Sequence, residues 1–338
     1  MQDIARAAGV GKATVSLALR NDPRLRPETR DRIQRIAAEL GYRANPTIAK
    51  LMVQLRASRS PRFRATLAFL NASREPALVQ LVYTFQRWIQ GCVERGESLG
   101  YLFDNFWIHD PAIKPGRLHT ILGSRGIQGL IVFGLTDQPE VPEEFDPLWE
   151  DFPAVVMGTR PSRPSLHFCS NDQYSTTVSC FRKLQERGYR RLGMVIETQV
   201  DELVEKRFSA GFRVMQDKLA PQDRLPIHPF VRSKPAAFLE WYKTHKPDVI
   251  VTLHEELLEW LGNAGVDVPD SVGLVHLDLE PRLSGWAGMN QNNEMVGAAG
   301  LDLLSGLIQR NEKGIPDHPK CIMIESEWQD GATLRRKA

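Results

Sequence analysis

Cysteine is scarce in this chain of 338 residues. Cys92, Cys169, Cys180 and Cys321 stand far apart, with no CxxC pair and no Cys/His cluster. Such spacing supplies neither a structural zinc site nor a disulfide framework, so free, buried thiols are expected. No run is long and apolar enough to span a bilayer and no secretory signal opens the chain, which points to the cytoplasm and to no membrane partner. Catalytic signatures are missing as well: there is no GxSxG elbow, no P-loop, no GxGxxG after a strand and no HExxH. The chain is therefore not expected to be an enzyme, and no cofactor or metal is expected. What remains is an ordinary globular composition, 42% hydrophobic and 25% charged, long enough for two or three domains.

The net charge of +2 conceals an asymmetry. Residues 1–64 hold 14 Lys/Arg against 5 Asp/Glu, a net of +9, which leaves −7 for the rest. A basic front with an acidic remainder suits a nucleic-acid contact confined to one end. The same front segment has a helical period. Ile4, Ala5 and Ala8 share one face of a short helix, and Gly9-Val10-Gly11 breaks it. A second helix over about 12–20 buries Val15 and Leu19, and a third over about 27–40 buries Ile33, Ile36, Ala37 and Leu40. Two short helices across a tight glycine turn, with a third closing the core, make the helix-turn-helix pattern. The outward face of the second helix carries Lys12, Ala13, Thr14, Ser16, Leu17 and Arg20. Lys12 can donate to guanine acceptors or a phosphate, Ala13 and Leu17 offer apolar contact, and Thr14 and Ser16 suit phosphates. Asn45-Pro46 then opens another short helix with Ile48, Leu51, Met52 and Leu55 on one stripe. A helix this short is marginal alone, and its stripe calls for the same helix of a second subunit.

From about residue 64 the pattern changes to alternating strands and helices. Strands are expected at 66–71, 101–106, 129–133 and 154–157, and again at 192–196, 249–253 and 273–279. Helices are expected at 78–99, 174–187, 202–219, 235–245 and 255–264. Two such βα sets predict two doubly wound parallel sheets, with ligands at the carboxyl ends of the strands. The expected division is a headpiece over 1–45, a hinge helix and linker over 46–63, and an α/β core over 64–338.

The stretches Asp3-Ile4-Ala5, Ala8-Gly9-Val10, Ala13-Thr14-Val15-Ser16, Thr29-Arg30, Gly41-Tyr42 and Asn45 resemble, in order and spacing, the headpiece of the lactose-repressor/galactose-repressor (LacI/GalR) family. The likeness continues more weakly along the chain. It implies a bacterial, sequence-specific transcriptional regulator, a repressor, acting as a homodimer on a near-palindromic DNA operator. It implies a periplasmic-binding-protein-like core whose two subdomains close on a small effector, a sugar. In that fold the chain crosses between subdomains three times, here expected near 158–163, 280–287 and 314–320. The N-subdomain would then span about 64–158 plus 286–315, and the C-subdomain about 162–282 plus 320–338.

The resemblance also assigns residues. Tyr42, Asn45 and Leu51 join the DNA-binding set, Leu51 as a wedge in the minor groove at the operator centre. Asp278, Tyr83, Phe85, Arg207, His254 and Gln291 become the effector-binding set. Asp278 accepts hydroxyl hydrogen bonds, and Tyr83 and Phe85 form a stacking pair. There are departures. Gly11 and Arg26 replace the usual helix caps, His276 replaces a small residue, and Phe208 occupies the slot usual for the effector-contacting arginine. They keep a second reading open, a cytosolic small-molecule sensor without specific DNA binding.

Overall fold

A computed structural model describes residues 2–19, 22–40, 65–136 and 138–335. At the front lie α1 (Gln2–Ala8), α2 (Lys12–Ala18) and α3 (Pro27–Glu39). Gly9 turns the chain at a φ of +65°, and the Val10 N–H donates to the Ala5 carbonyl at 3.0 Å. This is how a left-handed residue closes a helix end. Ile4, Ala5, Ala8, Val15, Ala18, Ile33 and Ala37 form the buried centre, with Leu19 and Ile36 at its rim. Leu40, expected in that core, is 52% exposed. It is the C-cap of α3, past the last turn that α1 and α2 cover. Two polar side chains of α3 satisfy the carbonyl ends of the other helices. Gln34 Nε2 donates to the Ala18 carbonyl (2.8 Å) and the Arg32 guanidinium to that of Ala8 (3.2 Å). Gly11 and Arg26 cap α2 and α3 without a side-chain bond, and Pro27 supplies a pre-set first residue to α3.

The core holds two six-stranded sheets. The first comprises β1 (Ala65–Asn71), β2 (Tyr101–Trp107), β3 (Ile127–Phe133), β4 (Ala154–Met157), β5 (His167–Asn171) and a late β11 (Cys321–Ile324), in the order β11-β5-β4-β3-β1-β2, all parallel. The second comprises β6 (Leu192–Ile196), β7 (His228–Pro229), β8 (Val249–Thr252), β9 (Gly273–His276), β10 (Ala287–Asn290) and β12 (Glu327–Gln329), in the order β12-β10-β9-β8-β6-β7, parallel except for β10/β12.

Helices cover both faces. In the first subdomain they are α4 (Leu78–Leu81), α5 (Tyr83–Leu99), α6 (Pro115–Ser124) and α7 (Asp146–Asp151). In the second they are α8 (Gln173–Glu186), α9 (Thr198–Leu203), α10 (Arg207–Gln216), α11 (Pro235–His245) and α12 (Glu256–Asn263). A long α13 (Asn293–Arg310) returns to pack beside α5 on the first sheet. The single helix expected over 78–99 is broken at Val82, whose ψ of 115° is extended. The helix expected over 202–219 is likewise two, parted by Glu205 and Lys206 at φ 57° and 58°.

The three crossings lie elsewhere than the sequence suggested. They fall between β5 and α8, between β10 and α13, and between β11 and β12. The first subdomain is thus built from residues 65–171 and 293–324, the second from 173–290 and 327–335. The proline-rich segments taken for crossings are loops that fold back on their own subdomain. The Ser162 N–H donates to the Pro139 carbonyl (2.7 Å) and the Gly314 N–H to that of Trp149 (2.8 Å). Likewise Leu279 bonds Met289 across the second sheet, so the chain runs through β10 before it leaves.

Candidate functional site

The doubly wound order of each sheet turns strand carboxyl ends toward a shared crevice. Ser73 after β1, Thr136 after β3, Gly158 after β4, Asn171 at the end of β5, Leu253 after β8, Asp278 after β9 and Gln291 after β10 all line one cavity of about 560 Å³. Convergence of strand ends on a single crevice is what this topology provides for a ligand.

Asp278 joins the two subdomains at this cleft. Its Oδ2 accepts from Thr84 Oγ1 on α5 (3.1 Å), its Oδ1 from Asn293 Nδ2 at the start of α13 (3.1 Å), and its own N–H donates to His276 Nδ1 (3.2 Å). Burial pushes its carboxyl up to about 7, against the pull of the Thr84 and Asn293 hydrogen bonds. Asn293 is held in turn. Its Oδ1 accepts from Trp88 Nε1 (3.2 Å) and Asn171 Nδ2 (3.0 Å). Gln291 donates from Nε2 to the Leu277 carbonyl (2.8 Å).

The structure divides the expected effector set. Phe85, Asp278 and Gln291 line the cleft, while Tyr83, Arg207 and His254 do not. Tyr83 sits two residues from Phe85, about 200° around the helix, and opens on a separate crevice beside Arg87, Glu280 and Trp286. Arg207 lies over the Phe168 ring, 5.9 Å from its centroid, and bonds the Val204 carbonyl. The reason is helix register. A Cβ on Gly211 would come within 2.8 Å of the Tyr174 carbonyl, so α10 is pressed against α8 at that point. With that contact fixed, Phe208, three residues earlier, faces the cleft and Arg207 turns from it. His254 stacks on Phe230 at 3.5 Å and accepts from the Glu197 N–H. Burial, then His276 and Arg232, hold its pKa down at about 3. It belongs to the wall behind the cleft.

Sequence reasoning did not assign Thr84, Trp88, Gln173, Asn171 or Asn293, and it met Phe208 only as a departure. Their roles depend on pairings between remote segments, for which one sequence carries no local signal.

On the headpiece, Lys12 and Ala13 are exposed at the start of α2, and Thr14 and Leu17 are half-buried beside them. Ser16 lies in the same helix. Arg20, Tyr42, Asn45 and Leu51 lie outside the described residues. Among the described residues no cluster of His, Cys, Asp or Glu is arranged to hold a metal, and no helix is long and apolar enough to cross a membrane.

A basic helix-turn-helix module ahead of a two-subdomain, ligand-type core defines the class: a DNA-binding transcriptional regulator. Comparison with known proteins narrows it. Residues 1–45 match the family described as bacterial regulatory proteins, lacI family. Catabolite control protein A of Staphylococcus xylosus is 25% identical over 95% of this chain and 95% of its own. The regulator PtxS of Pseudomonas putida is 26% identical over 91% of this chain and 89% of its own. In fold, the chain resembles the lac repressor dimer bound to operator and the anti-inducer ONPF, with a TM-score of 0.59 at 15% identity and 98% coverage of both chains. Residues 1–45 thus carry a lacI-family DNA-binding domain, and the relatives similar over most of the chain are transcriptional regulators.

Proposed function

We propose that the protein is a repressor that binds a near-palindromic operator as a homodimer and is controlled by an uncharged, hydroxyl-bearing metabolite of the sugar class held in the cleft. It acts in the cytoplasm and carries out no chemistry. In this reading Lys12, Ala13, Thr14, Ser16, Leu17 and Arg20 meet the major groove, Tyr42 and Asn45 the backbone, and the paired Leu51 side chains the operator centre. The observation that carries the regulatory half is the bridge from Asp278 of one subdomain to Thr84 of the other. A ligand whose hydroxyls bond Asp278 competes with that bridge. Occupancy then changes closure, and closure is what a hinge can transmit to the headpieces.

The test is a titration of operator duplex with the full chain, with and without the small-molecule fraction of a bacterial extract, repeated with Asp278→Asn. The wild type should change its operator affinity when that fraction is added, and the variant should bind DNA equally but respond weakly. A specific affinity no higher than that for scrambled duplex would instead favour a sensor without operator recognition. Measurable turnover of a sugar panel would count against a purely regulatory role.

A further inference from the structure

The cleft's own chemistry says more about the ligand, and this inference rests on the effector reading above. Its walls are apolar over much of their area, with Phe85 and Trp88 from α5, Val200 and Leu203 from α9, Phe208 from α10 and Leu253 after β8. Phe85 and Trp88 stand 5.2 Å apart between ring centroids. Such walls suit an apolar ring better than a polyol alone.

The polar remainder accepts more than it donates. Gln173 is 5% exposed, lines the cleft, and its Oε1 has no hydrogen-bond partner. A buried acceptor left without a partner is costly, and a ligand donor would remove that cost. Asp278 and Glu75 are further acceptors, and among the described lining residues Arg74 is the one cation. Glu280 also lines the cleft but is paired with Arg282 at 2.6 Å.

Helices α5, α8 and α13 are among those that start at or beside this cleft, and a helix start can bind an anion. A carboxylate of the protein already stands beside each of these three. Asp278 bonds Thr84 at the start of α5 and Asn293 at the start of α13. Asp172 caps α8, accepting from the Ser175 N–H at 2.9 Å and the Ser175 hydroxyl at 2.8 Å. Asp278 and Asp172 so placed repel a phosphate or a carboxylate at these three starts.

We infer that the cleft selects an uncharged ligand pairing an apolar ring with a hydroxyl-bearing ring, as aryl glycosides and nucleosides do, that Gln173 Oε1 accepts one of its hydrogen bonds, and that phosphorylated or carboxylated counterparts are rejected. Phe208, a buried aromatic side chain in the cleft wall, contributes to that preference.

The experiment is calorimetric titration of the full chain with glucose, phenyl glucoside, phosphorylated glucose and glucuronate, and with adenosine and its monophosphate. At least one of phenyl glucoside and adenosine should bind, about tenfold or more tighter than glucose, and each anion more than tenfold weaker than its neutral parent. The two neutral probes tell an aryl glycoside from a nucleoside. Gln173→Leu should weaken the neutral ligand about tenfold, whereas Gln173→Glu, which keeps an acceptor there, should retain it. Phe208→Leu, milder than a charged replacement at a buried site, should reduce the advantage of the ring-bearing probe while anions stay excluded. An anion binding tighter than its neutral parent, glucose binding as well as phenyl glucoside, full affinity in a folded Gln173→Leu protein, or binding by none of the six overturns the inference. The effector reading is tested separately. It fails if the extract fraction leaves operator affinity unchanged.

Discussion

The headpiece and the core are held together by different means. The headpiece centre is made mostly of small side chains, Ala5, Ala8, Ala18 and Ala37 around Ile4, Val15 and Ile33, with no aromatic among them. The core subdomains fully bury Trp149, Phe145, Phe168, Phe181, Phe212 and Phe238. Small residues let short helices approach closely, but they remove little apolar surface from water. A module of this size is marginal on its own. The part that carries the DNA-facing helix thus has little stability to spare, while the ligand-type part has more. A change that unfolds the first should leave the second intact.

Ile33→Ala is the strongest test of that separation. Ile33 is fully buried at the centre of the headpiece, and removing such a side chain costs about 2–5 kcal/mol. That is comparable to the whole stability of so small a unit. Operator affinity should fall by more than about 100-fold, equivalent to about 2.8 kcal/mol, while the core melts at its usual temperature. A single calorimetric transition that moves as a whole would mean that the two regions unfold together.

The next effect in size lies in the core and depends on pH. Asp278 is held at about 7 in the folded chain, against 3.8 as its ordinary value. The sign follows from that rise. Its contribution is fully present below pH 3.8 and is lost as pH climbs through 7, because the folded state resists ionisation that the unfolded chain undergoes freely. The span corresponds to at most about 4 kcal/mol. His254, kept neutral by burial, acts in the opposite sense below its ordinary value of 6.5. The difference between wild type and Asp278→Asn therefore isolates the carboxyl. The variant should gain stability relative to wild type as pH rises from 4 to 7 and gain nothing further above it. Parallel melting curves across that range would remove Asp278 from the buried bridge.

These two sites also differ in how readable they were. The headpiece could be read from helical period and one glycine turn, because its contacts are local. In the core, strand ends could be read from short apolar runs, and the family resemblance of the strand before it then pointed to Asp278. Side-chain direction was harder. Tyr83 and Phe85 are close in sequence but diverge around α5, and Arg207 and Phe208 exchange roles through the close approach at Gly211. Gln173 gave no signal at all, since its orphan oxygen exists only once β5, α8 and α9 are assembled. The crossings were misplaced because a proline-rich loop looks alike whether it leaves a subdomain or folds back on it. Strand pairing decides which, and pairing is not local.

A third effect belongs to the joint between the regions. Leu51 lies on the apolar stripe of the proposed hinge helix. A minor-groove wedge unstacks a base step at a cost of a few kcal/mol, offset by apolar contact and the bend it permits. Leu51→Ala shortens the wedge, so specific affinity should fall by roughly 10–100-fold, or about 1.4–2.8 kcal/mol. Non-specific binding, which rests on Lys and Arg contacts to phosphates, should change far less. Paired titrations on operator and scrambled duplex read both. An equal loss on the two duplexes would make Leu51 a packing residue and leave the operator centre without its wedge.

The smallest effect separates cleft closure from both DNA contact and folding. Thr84→Val removes the hydroxyl that donates to Asp278 and keeps the side chain's shape. Thr84 is half-buried, so the lost hydrogen bond should cost about 0.5–1.5 kcal/mol. That is too little to unfold a subdomain built on fully buried aromatics. The loss falls on one conformation only, because the bond exists only while Asp278 of the second subdomain meets α5 of the first. The variant should therefore shift the balance between closed and open forms by roughly 2–12-fold. In an operator titration, the amount of extract fraction needed for a half-maximal response should move by that factor. The thermal midpoint should move by no more than a few degrees. Asp278→Asn differs from it in kind, because it changes the group proposed to accept the ligand's hydrogen bond. A Thr84→Val protein with an unchanged response would show that the bridge is incidental to regulation. One that loses all response would place Thr84 among the ligand's own contacts. A shift of intermediate size, with the core's melting nearly fixed, is what a bond between two moving subdomains should produce.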